Sequence, residues 1–253
     1  MKPLISVITA VYNGEKYLEQ TIKSVINQTY PNIEFIIIDG GSTDGTLDII
    51  NKYKNKISKW ISEPDKGISD AFNKGIELAN GDYINFQGDG DGFCYSESIN
   101  DLFKDINTNE DIIVSGRINR MSIDNEILYT SPYVSDFNKH SLLFKMSLPH
   151  QGLFVHRIFF EQYGLFDINN TYCMDYEHLL RAYKNFPHVK TKNIIVANWR
   201  ADGIGNNKTL EILNEYNLIK IKNKVAHPVI LKIINYWTLF KHCLKKILFL
   251  NGQ

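Results

Sequence analysis

Apolar and polar positions follow two alternating periods along the first ninety residues of this 253-residue chain. Leu4 to Thr9 is a continuous apolar run, of the kind buried on both faces in a parallel sheet. After Val11-Tyr12-Asn13-Gly14, apolar residues recur at helical spacing at Tyr17, Leu18, Ile22, Val25 and Ile26. Tyr30-Pro31-Asn32 breaks that pattern, and Ile33 to Ile38 is a second buried run. Leu47, Ile49, Ile50 and Tyr53 mark a second helix, Ile57 to Ser62 a third strand, Asp70 to Ala79 a third helix and Tyr83 to Phe86 a fourth strand. Strand and helix alternating at this spacing predict an α/β fold, a doubly wound and mostly parallel sheet with helices on both faces. Further on, the pattern predicts a helix from Ser96 to Phe103, strands at Asp111 to Ser115 and Ile127 to Thr130, and a C-terminal amphipathic helix after Pro228.

In open α/β sheets, ligands bind beyond the carboxyl ends of the strands. Asp39, Asp65, Asp89 and Asp91 all fall at such ends. Asp89 and Asp91 lie two apart in the glycine-spaced loop Gly88-Asp89-Gly90-Asp91-Gly92, so both carboxylates can face one side of an extended segment, and Asp91 is expected to face solvent. Two hard oxygen ligands there suit Mg²⁺ or Mn²⁺ shared with a substrate's phosphates. A calcium loop starting at Asp89 fails, because Phe93, Cys94 and Asn100 would occupy its fifth, sixth and twelfth positions. No G-x-G-x-x-G follows the first strand and no G-x-x-x-x-G-K-[ST] is present, which argues against a nicotinamide cofactor and a P-loop. A bound diphosphate would then need its charge met by a divalent cation.

Composition narrows the classes. Twenty-eight basic residues balance 28 acidic ones, so no basic field points to nucleic acid. Cys94, Cys173 and Cys243 are scattered, with neither zinc spacing nor a disulfide framework, which fits a reducing cytoplasm. The opening apolar run is too short for a signal peptide, and no run approaches the roughly 20 residues of a membrane span.

Four blocks in order then carry a resemblance: Ser6 to Gly14, Ile38 to Thr46, Ser62 to Gly75, and the Gly88 to Asp91 loop. Together they resemble the family 2 inverting glycosyltransferases, which have the GT-A fold, use nucleotide-diphosphate sugars and often build bacterial surface polysaccharides. The resemblance implies that Thr9, Asn13 and Glu15 lie under the nucleotide, that Asp39 accepts a hydrogen bond from uracil, and that Ser42 sits near the base. It places Asp65, Lys66 and Gly67 at base and ribose, with Asp70 and Asn73 lining the donor site or capping a helix. Asp91 matches the metal ligand, and Asp89 matches either a second ligand or a ribose contact. His150-Gln151 resembles a donor or acceptor contact of this branch. Met174-Asp175 resembles the acidic helix start that supplies the catalytic base, with Glu177 in reserve. Trp199 to Gly205 resembles a loop that closes over the donor.

The implied organisation is a donor-binding half at 1–92, an acceptor and catalytic half at 93–208, and a helical extension at 209–253. The implied activity is metal-dependent, inverting transfer of one hexosyl group from a UDP-sugar to a saccharide acceptor on a polyprenyl diphosphate. That acceptor would be met at the cytoplasmic face of the bacterial plasma membrane. The Q-x-x-R-W signature of processive synthases is absent. A sugar-phosphate nucleotidyltransferase lacks its G-x-G-T-R loop here, and a non-catalytic nucleotide-sugar-binding module is the alternative outside enzymes. For the stretch 227–250, with its apolar residues, Trp237 and lysines, three partners remain open: a headgroup layer, its own domain, or a second subunit of a homodimer.

Overall fold

The computed structural model describes residues 2–250 apart from 202, 204 and 207, with side chains as far as residue 244. Its first half follows the sequence pattern closely. The elements are β1 (Ile5–Val11), α1 (Leu18–Ile26), β2 (Ile33–Asp39), α2 (Thr46–Tyr53), β3 (Lys59–Ser62), α3 (Ile68–Leu78) and β4 (Tyr83–Gly88). These strands pair in parallel in the order β3-β2-β1-β4. Every residue of β1 is buried. Ile5 and Val7 pack on one face with Leu18, Ile22 and Val25 of α1, while Ile8 and Ala10 pack on the other with Ala71, Phe72 and Ile76 of α3. Successive side chains of a strand point to opposite faces, so an unbroken apolar run requires a helix on each side.

The second half extends the same sheet with reversed strands. It comprises β5 (Gly92–Phe93), α4 (Ser98–Leu102), β6 (Ile113–Met121), β7 (Ile127–Thr130), β8 (Leu153–His156), α5 (Arg157–Tyr163), α6 (Met174–Arg181), β9 (Val189–Arg200), α7 (Thr209–Lys222) and α8 (Pro228–Leu250). Strand β8 runs antiparallel between β4 and β6, and β9 runs parallel to β6 and antiparallel to β5. The 12-residue β9 is not foreseen from the sequence, because its first half carries Lys190, Thr191, Lys192 and Asn193 and is only partly buried. It matters because its last residue, Arg200, reaches the Asp89–Asp91 loop. No helix among the described residues is long and apolar enough to cross a membrane.

One buried histidine makes the fold acid-sensitive. His178 on α6 is 2 % exposed, packs on the rings of Phe159, Phe160 and Phe166, and places Nε2 2.7 Å from the Gly164 carbonyl. Burial, aided by the Arg181 charge, lowers its pKa to about 3. A folded-state pKa below the unfolded value of about 6.5 means that stability is fully present above that pH and is lost as pH falls toward 3. Between pH 6.5 and 4.5 this one group should cost roughly 2–3 kcal/mol. Urea denaturation at both pH values should therefore show a steeper acid loss for the native protein than for His178→Gln. Equal slopes would mean that His178 does not stay neutral in the fold.

Candidate active site

Two loops at the carboxyl ends of β1 and β2 are zipped together. Asn13, in the left-handed backbone region at φ 52°, donates its N–H to Ser42 Oγ and accepts the Thr43 N–H at its side-chain oxygen. Gly14 N–H donates to Thr46 Oγ1, Glu15 N–H donates to Asp44, and the Glu15 carboxylate accepts from Gly45. Asp39 lies behind them, fully buried, and accepts from the hydroxyls of Ser42 and Ser62 and from the Gly41 N–H. Glu15, Ser42 and Asp39 thus brace the loops. At the end of β3, Asp65 accepts the Gly67 N–H, and Asp70 accepts the Lys66 N–H at the start of α3. Asn73 makes paired bonds to the Phe166 backbone, tying α3 to the second half.

The acidic loop after β4 is the most tightly determined part. Contrary to the solvent-facing position expected from sequence, Asp91 is only 6 % exposed. Its Oδ1 accepts the Arg200 N–H at 2.9 Å, and its Oδ2 accepts Gln151 Nε2 at 2.9 Å and the Gly88 N–H at 3.2 Å. Burial raises its pKa to about 6, and those donors limit the rise. Gly90 takes φ 84°, and a Cβ there would stand 2.3 Å from Arg200 Cδ. A Cβ on Gly14 would stand 2.8 Å from the Asp89 carboxyl. Glycine at both positions lets the loop close onto the start of α1 and the end of β9.

Arg200 is the cleft residue that sequence reading did not single out. Its backbone holds Asp91, while its guanidinium lies 3.4 Å from the centre of the Tyr17 ring. In the sequence it is one polar residue in a loop-like stretch; only the pairing of β9 with β5 brings it beside Asp91. Of the stretch expected to close over the donor, Asp202 and Ile204 lie outside the described residues.

Asp175 opens α6. Its Oδ1 accepts the Tyr176 N–H at 2.7 Å, and its Oδ2 lies 3.5 Å from Nδ1 of His150. His150 stacks on Phe86 at 5.4 Å, and burial lowers its pKa while the Asp175 charge opposes that shift. Glu215 of α7 accepts the N–H groups of Tyr172 and Cys173, closing the turn before α6. Glu177 points elsewhere. It is buried and paired through both oxygens with Arg181, with Lys222 3.8 Å away.

One cleft of about 1190 Å³ gathers these parts. Asn13, Asp65, Gly67, Asp89, Asp91, His150, Gln151 and Asp175 all line it, as do Tyr17, Trp199 and Arg200. Thr9, Glu15, Asp39, Ser42, Lys66, Asp70, Asn73 and Glu177 do not line it. Most of these brace the walls, while the Thr9 side chain is buried within β1.

A half-sheet of parallel βα units joined to a mixed half is the GT-A fold. The chain belongs to glycosyl transferase family 2, whose model matches residues 6–173. A "PGL/p-HBAD biosynthesis glycosyltransferase" of Mycobacterium tuberculosis is 24 % identical over 242 residues, covering 93 % of this chain and 91 % of that protein. Among solved structures, Staphylococcus aureus TarS 1–349 in complex with UDP-GlcNAc superposes with a TM-score of 0.72 at 18 % identity, covering 94 % of this chain and 72 % of that one. The mannosyltransferase PcManGT of Pyrobaculum calidifontis, in complex with GDP-Man and Mn²⁺, superposes at 0.66 with 14 % identity, covering 94 % and 70 %.

Proposed function

We propose that this glycosyltransferase moves one hexosyl group from a UDP-sugar to a saccharide acceptor with inversion, a single sugar per encounter. The acceptor is carried on a polyprenyl diphosphate at the cytoplasmic face of the plasma membrane, in surface-polysaccharide synthesis. The observation that carries the reading is the presence of Asp175 in the same cleft as Asp89 and Asp91. A carboxylate of ordinary reach there can take the acceptor hydroxyl's proton as its oxygen bonds to the anomeric carbon. The bond from that carbon to the diphosphate oxygen breaks at the same time, and the nucleoside diphosphate leaves with the electron pair.

The donor set fits a divalent cation carried in with the diphosphate. Oδ1 of Asp91 accepts one N–H, which leaves a lone pair for a cation, and Asp89 stands on the same loop. Among the described residues no three His, Cys, Asp or Glu side chains cluster for a metal, so most ligands would come from phosphate oxygens and water, as Mg²⁺ and Mn²⁺ accept. Bound there, the ion would neutralise charge developing on the leaving diphosphate. The Tyr176 N–H holds the Asp175 carboxylate, with the His150 ring 3.5 Å away, and the loop-zipping bonds hold the nucleotide shelf.

Thermal unfolding of the full chain with a panel of nucleotide sugars, with Mn²⁺, Mg²⁺ or a chelator, tests this. A UDP-sugar with cation at a hundred times its Kd should stabilise by about 2.7 kcal/mol, and chelation should abolish the shift. If no nucleotide sugar raises Tm under any condition, the donor assignment fails.

A further inference from the structure

From Tyr216 to Gln253 the sequence contains seven lysines and neither Asp nor Glu, although the whole chain balances 28 against 28. That segregated charge lies on helices whose outer side is apolar. On α8, Val229, Ile230, Ile233, Tyr236, Trp237, Phe240 and Leu244 are all exposed, with Ile233 at 62 % and Phe240 at 57 %. Their spacing of three and four residues makes one continuous stripe. The opposite side of the helix is anchored, since Leu231 and Ile234 are buried and Leu231 packs in a cluster with Ile219 of α7 and Tyr176 of α6. The helix is therefore docked on its own domain by one face and presents the other outward.

The lysines divide in the same way. Lys220 is buried with its ammonium on the Leu143 carbonyl, and Lys222 is paired with Asp167. Lys224, Lys232 and Lys241 are exposed, and Lys241 sits 4.8 Å over the Trp237 ring. We infer that the exposed face of α8 is a docking surface for an anionic lipid bilayer, with the apolar stripe entering the headgroup layer and the lysines meeting lipid phosphates. Trp and Tyr on an apolar stripe, flanked by basic residues, match the amphiphilic profile of that layer.

The charge pattern chooses this occupant over a second copy. A two-fold contact through the stripe would set the lysines of one α8 against those of the other, with no acid on either helix to meet them. The surface also lies close to the chemistry. Tyr216 of α7 lines the cleft and packs 4.2 Å from Tyr176, next to Asp175, and Glu215 closes the turn before α6. A docked α7–α8 pair would hold the acceptor side of the cleft near the bilayer. This deepens the lipid-linked acceptor reading, but its own support is the charge and exposure of α8.

The test is flotation of the full chain with vesicles of phosphatidylcholine alone or mixed with phosphatidylglycerol. Binding should favour the anionic vesicles by at least tenfold and weaken with salt, because exposed charges are screened. Each lysine near such a surface contributes roughly fivefold. Lys232→Glu/Lys241→Glu should therefore lose most anionic binding, and Ile233→Ser/Trp237→Ser should lose it as well. Both pairs are surface changes away from the cleft, so UDP-sugar binding in solution should persist and report an intact fold. Absence of vesicle binding by the native chain overturns the proposal, as does equal binding to neutral vesicles. So does a concentration-dependent dimer in sedimentation that Ile233→Ser/Trp237→Ser dissolves. Because donor binding is read separately, failure here leaves the transferase reading intact, and loss of that reading leaves the vesicle result standing.

Discussion

Asp175→Asn is expected to bind the UDP-sugar with unchanged affinity and to lose roughly 10²–10⁴-fold in kcat, the usual contribution of a positioned general base. The amide keeps the shape and can still accept the Tyr176 N–H, so the turn before α6 should survive. It cannot take up the acceptor's proton. The informative contrast is Glu177→Gln. Glu177 is buried in an ion pair with Arg181, whose guanidinium also donates to the carbonyls of Tyr163 and Leu165. Removing that charge should cost roughly 3 kcal/mol of stability, near the low end for a broken buried pair because Arg181 is partly exposed. It should leave kcat of the folded fraction nearly unchanged. Single-turnover rates beside urea denaturation of both variants separate the two roles. If Glu177→Gln abolishes turnover at full stability while Asp175→Asn stays active, the base is Glu177.

Asp91→Asn should weaken cation-dependent UDP binding by more than 100-fold, since a neutral amide is a poor ligand for a hard cation. The structure adds a second consequence. Three protein donors converge on the Asp91 carboxylate, and an amide would turn its NH₂ toward at least one of them. Leaving a buried N–H unsatisfied costs about 1–3 kcal/mol, so a fall in Tm should accompany the loss of binding. Calorimetric titration of UDP with Mn²⁺, on protein shown folded by circular dichroism at the working temperature, measures the first effect. Unchanged affinity in that experiment would remove Asp91 from the cation site and leave it as the pin that closes the loop onto β9.

The sequence alone determined the architecture of the first half, β1 to β4. Its central strands β1, β2 and β4 are buried on both faces and its helices on one, and those two requirements write periods that can be read locally, as Ile5 to Val11 and Leu18 to Ile26 show. The acidic positions at strand ends were legible for the same reason, because a strand's end is a local event. The resemblance then gave names to roles that spacing could not assign. What only the tertiary structure decided lies in contacts between distant segments. Gln151 and Arg200 reach Asp91 from 60 and 109 residues away, and together they convert an apparently exposed loop acid into a buried one. The choice between Asp175 and Glu177 has the same origin. Two residues apart on a helix, they point to different surroundings, one toward the cleft and His150, the other toward Arg181. The outward face of α8 was equally undecidable from its own pattern. A broad apolar face interrupted by lysines can pack on its own domain or face outward, and only the burial of Leu231 and Ile234 against the domain shows which side is left to meet a partner.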